Sequence, residues 1–129
     1  MATEILVNDG GAPARIIPFT ATAAITAGDL VEFEAGAAGV RPATTAVIPV
    51  VGVALTAAAS GELVNVITGR GSIVRVIQNT NLAAGAIVMI DSSNVGEVIA
   101  HTGTGEANLM VGVTLEDVAA GAYVKILLH

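Results

Sequence analysis

The segment Val51-Gly52-Val53-Ala54-Leu55 returns near the C-terminus as Val111-Gly112-Val113-Thr114-Leu115. The surroundings return with it. Each copy is followed by a small-residue loop ending in glycine, Ala59-Ser60-Gly61 and Ala119-Ala120-Gly121. Each loop leads into an apolar run, Leu63-Val64-Asn65-Val66 and Tyr123-Val124-Lys125-Ile126. Upstream, Thr26-Ala27-Gly28-Asp29-Leu30-Val31 corresponds to Ala83-Ala84-Gly85-Ala86-Ile87-Val88. A shared order of elements is the mark of an internal repeat, and a unit too small to bury its own apolar face must pack on its twin. The two halves run over about residues 25–71 and 82–128, within a single domain spanning 25–129.

The unit is built of strands. Short apolar runs separated by turn residues recur along the chain, at Glu4–Val7, Arg15–Phe19, Asp29–Phe33, Val47–Leu55 and Glu62–Thr68. They continue at Ser72–Ile77, Ala86–Ile90, Val95–Ala100, Leu109–Leu115 and Ala122–Leu128. Regular spacing of such runs predicts an all-β protein, a small β-barrel or β-sandwich. Val124, Ile126 and Leu128 alternate with Tyr123 and Lys125, as on a strand with one face buried. By the same rule Glu32 and Glu34 are expected on a solvated face. Eighteen valines, twelve isoleucines and twelve threonines favour the pleated sheet, and glycine or proline interrupts nearly every window long enough for a helix. Only Thr56–Ser60 and Glu116–Ala120 leave room for a helical turn. Gly52 and Gly112, inside apolar strands, predict a bulge or a close backbone approach.

Twenty-four alanines and only three aromatic residues, Phe19, Phe33 and Tyr123, make a core of small side chains that gains little per residue. Further burial by oligomerisation or docking is expected. Residues 1–24 lie outside the repeat. Pro13 and Pro18 hold this stretch extended. It reads equally as an N-terminal arm lying along a neighbour or as an edge strand on its own domain. In the first case Pro13, Arg15, Ile16, Ile17, Pro18 and Phe19 are the candidate contacts, and removing residues 1–18 weakens docking more than folding.

The residues argue against several function classes. The net charge is −6, with Arg15, Arg41, Arg70, Arg75 and Lys125 as the cations. Nucleic acid and anionic membranes are therefore not expected partners. The uncharged stretch from Pro42 to Gly61 contains Pro49 and Gly52 and reads as strand and turn rather than a membrane helix. The N-terminus carries Glu4 and lacks a basic leader, as in a protein made in the cytoplasm. There is no cysteine. His101 and His129 have no metal-ligand spacing, and Glu116-Asp117 stands without the further oxygen ligands that calcium needs. Ser60, Ser72, Ser92 and Ser93 sit in turns without a partner base. No catalytic, cofactor or metal site is expected, and the chain reads as a structural or binding module rather than an enzyme.

Ala27-Gly28-Asp29-Leu30-Val31, Val51-Gly52-Val53-Ala54-Leu55, the glycine turn at Gly61 and the closing stretch from Val111 to Ile126 resemble the capsid decoration (cement, head-stabilising) proteins of tailed bacteriophages. The likeness covers most of residues 25–128. It implies a β-barrel or β-sandwich on the exterior of the virion, made in the host cytoplasm. It further implies a homotrimer bound to an assembled capsid, bridging neighbouring subunits of the major capsid protein. The alternative is a carbohydrate- or ligand-binding β-module of a fibre or surface protein. The scarcity of aromatic rings for sugar stacking weighs against it.

Overall fold

The computed structural model of the chain is described for residues 5–8, 15–44, 50–69, 71–91, 93–101 and 110–128. The described residues form two antiparallel sheets and contain no helix. The five-stranded sheet consists of β2 (Ile16–Thr20), β3 (Leu30–Phe33), β4 (Val40–Pro42), β5 (Val50–Ala54) and β6 (Leu63–Ile67), in the order β2-β6-β5-β3-β4. The six-stranded sheet consists of β1 (Leu6–Asn8), β7 (Ile73–Ile77), β8 (Ile87–Ile90), β9 (Val98–Ala100), β10 (Met110–Thr114) and β11 (Tyr123–Leu128), in the order β1-β7-β11-β10-β8-β9. The sheets do not close into a barrel. The architecture is sandwich-like.

With β1 set aside, the two sheets have the same strand order. The repeat is therefore five strands long. Each unit begins one strand earlier than residues 25 and 82, with β2 and β7 in matching places. The links between strands repeat as well. Ala21 bridges Val40 and Ile25 bridges Ala58, and in the second unit Gln78 bridges Val98 and Leu82 bridges Val118. Gly28 and Gly85 both adopt positive φ, and each donates its amide to the last residue of the Val-Gly-Val strand, Ala54 or Thr114. The windows that left room for a helical turn hold the bridge residues Ala58 and Val118.

Gly52 and Gly112 carry the same constraint. Beside each, the register between neighbouring strands slips: Val31 faces Gly52 while Glu32 faces Val50, and Gly112 faces Val88 while Met110 faces Met89. A Cβ on Gly52 would land on the carbonyl oxygen of Ile67, and one on Gly112 on that of Leu127. Both a bulge and a close backbone approach are present, as their placement in apolar strands predicts.

Two apolar clusters hold the fold. One lies on a single face of the five-stranded sheet and joins Val31, Val40, Ala54, Val64 and Val66 under the crossing residues Ala21, Ile25 and Ala58. The other joins Leu30, Val53 and Ile67, on the opposite face of that sheet, to Val74, Val76, Val88, Ile90, Val124 and Ile126 of the six-stranded sheet. The five-stranded sheet is thus apolar on both faces along β3 and β5. This changes the reading of Glu32. It is fully buried rather than solvated, and Arg41 on the adjacent β4 reaches its carboxylate at 3.1 Å while the Thr44 amide donates to the other oxygen at 3.0 Å. Strict alternation of burial holds only where a sheet has one wet face.

Of the two readings of residues 1–24, the described part takes the edge strand. β1 pairs with β7, β2 pairs with β6 over its whole length, and Ile5 is buried in the larger cluster. Removing residues 1–18 would strip strand from both sheets and an anchor from the core. That deletion is therefore expected to lower folding as well as docking.

Candidate functional site

Three exposed surfaces are available for docking. The first is the β2 edge. Arg15, Ile16, Ile17 and Pro18 are exposed and Phe19 is half-buried. Pro13 lies outside the described residues. The Thr68 amide donates to the Arg15 carbonyl and the Ala21 amide to the Glu62 carbonyl, so the odd-numbered residues of β2 turn their backbone groups toward β6. By alternation the even-numbered ones face outward. Pro18 falls on an outward position and offers no donor there. That removes the central rung on which another strand could be added, a common way to blunt a sheet edge. Docking at this edge therefore relies on side chains.

The second surface lies on the face of the five-stranded sheet that carries the smaller cluster. Phe19 and Phe33 pack edge-to-face, with ring centres 5.5 Å apart and an interplanar angle of 81°. Phe33 is 47% exposed, and Ile17 beside Phe19 is 37% exposed. Nearly half of Phe33 is thus left in water, where it gives no burial energy to the isolated chain.

The third surface is the outward face of the six-stranded sheet. Ile87 is exposed, and Met89, Val113, Leu127, Tyr123 and Lys125 are half-buried along the same face. At the end of this face the Tyr123 ring packs on Gly28 of the first unit and its hydroxyl donates to the Ala27 carbonyl at 3.1 Å, tying the two units together. Lys125 lies opposite Arg75 on β7 and 3.6 Å from Glu116. Contiguous apolar surface flanked by a few charges is what protein interfaces use.

Charge collects at the junction between the units. Asp29 is buried and accepts the Thr26 amide at 2.9 Å, while Gly96 of the β8–β9 turn packs so closely that a Cβ there would meet the Asp29 carboxyl at 2.8 Å. Burial pushes the Asp29 pKa up, the Thr26 amide opposes this, and Glu97 adds to the rise. Glu97 is raised in turn by desolvation and by Asp91. Asp91 is engaged by its own turn, accepting from the Ser93 amide and the Asn94 side chain. Among the described residues no group of three or more His, Cys, Asp or Glu side chains is arranged to hold a metal ion. The remaining candidates are structural in their contacts. Asp117 accepts the Ala84 amide, Glu116 accepts the Lys125 amide, and His101 is half-buried with its own amide bonded to Ile87. Ser92 and His129 lie outside the described residues.

Comparison with known proteins agrees with this picture. The sequence matches the family described as phage cement protein over residues 11–128. No curated protein matches. Among solved structures, the fold is similar to the head fiber gp8.5 N base of bacteriophage phi29, with a TM-score of 0.64. The alignment has 15% identity and covers 91% of this chain and 95% of that one.

Proposed function

The chain belongs to the phage cement protein family, a structural rather than enzymatic family, and from that premise we propose that this capsid-associated protein docks on the outside of an assembled capsid and bridges neighbouring major capsid subunits. The observation that best supports this reading is the apolar surface that the described residues leave exposed on two faces. Ile17, Phe33 and Ile87 lie on two different faces, so one copy has room for more than one partner surface. Arg15, Ile16 and Pro18 of the exposed β2 edge are the capsid contact in this proposal. These side chains are exposed, and Pro18 keeps the backbone from inviting strand addition. Self-association as a homotrimer makes the later contacts of each particle intramolecular, which raises avidity by a factor of roughly 10²–10⁴. Bound subunits then resist separation of the capsid subunits beneath them.

The test is co-sedimentation of the purified protein with undecorated, expanded heads, followed by heating. Saturable binding and a higher temperature of head disruption are expected. Arg15→Glu together with Ile16→Asp, both at exposed positions outside the Phe19–Phe33 face, is expected to abolish binding while the protein still melts cooperatively. Absence of binding by the unaltered protein would sink the proposal.

A further inference from the structure

We infer that copies of this chain associate head to tail, the outward face of the six-stranded sheet of one copy docking on the Phe19–Phe33 face of the next. The duplication carries the argument, because it lets each surface position be compared with its twin. Leu30, Val53 and Ile67 of the first unit share a row with Ile87, Val113 and Leu127 of the second: Leu30 faces Val53 as Ile87 faces Val113, and Val53 faces Ile67 as Val113 faces Leu127. In the first unit this row is fully buried against the second unit. In the second unit Ile87 is 42% exposed and the other two are half-buried.

The complementary row shows the reverse. Ile17, Phe19 and Phe33 match Val74, Val76 and Ile90, as their pairing with Val66, Val64 and Val40 and with Ile126, Val124 and Val98 establishes. Val74 and Val76 are fully buried and Ile90 is 3% exposed, all within the contact between units. Ile17 and Phe33 remain open. The contact inside the chain thus uses one face of each unit, and what remains on the surface is the other half of the same contact, once at each end. A second copy of this chain presents both halves. An interface made of two different faces is heterologous and propagates into a ring or an open stack.

This assignment names the faces behind the self-association in the proposed function and rests on that part of it. It does not depend on a capsid. The test is light scattering on the purified chain alone, with Phe33→Glu and Ile87→Glu, both at exposed positions. The unaltered protein is expected to be larger than a monomer. Each variant alone is expected to be monomeric, its association weakened on the order of a hundredfold by the desolvated carboxylate. An equimolar mixture is expected to form dimers and nothing larger, because each variant keeps the face that the other has lost. If a glutamate variant fails to melt cooperatively, Phe33→Ser and Ile87→Ser replace the pair with the same expected pattern. Monomeric unaltered protein would overturn both the self-association and the faces. Assembly of the unaltered protein with variants that still assemble alone, or whose mixture stays monomeric, would overturn only the faces.

Discussion

Gly52 and Gly112 are the positions where a single methyl group does most harm. Neither needs glycine for its φ. Each needs it because a strand carbonyl occupies the space that a Cβ would take. Gly52→Ala and Gly112→Ala are each expected to cost at least about 2 kcal/mol, read as lowered midpoints in urea unfolding. Gly61, whose Cβ would meet nothing, is the useful contrast: its positive φ alone sets the cost of an alanine there, which is expected to be smaller. Asp29 makes a second residue-scale statement. Its folded pKa and that of Glu97 are raised, so the folded state holds these protons more tightly than the unfolded chain. Their contribution is most favourable at low pH and is lost as pH rises from about 4 through the raised values. Asp29→Asn keeps an acceptor for the Thr26 amide and removes the titration. Its melting temperature relative to the parent protein is therefore expected to climb with pH over that range. A constant difference would show that Asp29 does not titrate differently on folding.

At the scale of elements, Pro18 is expected to set the behaviour of the β2 edge. Pro18→Thr restores an outward amide at the centre of an exposed apolar strand and is expected to promote concentration-dependent aggregation, followed by turbidity and thioflavin binding. The same strand shows how far the sequence could be read. Its apolar run was legible, but two prolines made a free arm and an edge strand equally consistent with it. β4, only three residues with Arg41 at its centre, carries no periodic signal and was not anticipated. The other strands were visible because glycine turns bracket them. The repeat was visible too, though one strand short in each unit, since β2 and β7 share little beyond branched side chains. Glu32 was misplaced because alternation reports one face of a sheet and says nothing about a second layer. The docking faces could not be read from sequence at all. Ile17 and Val74, or Leu30 and Ile87, are the same kind of residue, and only the packing of one unit on the other makes one open and its twin closed.

At the scale of the whole molecule, the two sheets are not equals. The five-stranded sheet has apolar clusters on both sides of β3 and β5, whereas the six-stranded sheet has one closed face and one half-open face. Local opening follows the density of buried contacts. Amide hydrogens of Val31 and Val53 are therefore expected to exchange more slowly than those of their twins Val88 and Val113 in the isolated protein. Assembly is expected to narrow that gap by protecting the second pair. Equal exchange in the two sheets would contradict the asymmetry.

That asymmetry has a further consequence for how such a molecule ages. A sheet sealed on both sides opens last, so damage by heat or protease enters first through the six-stranded sheet.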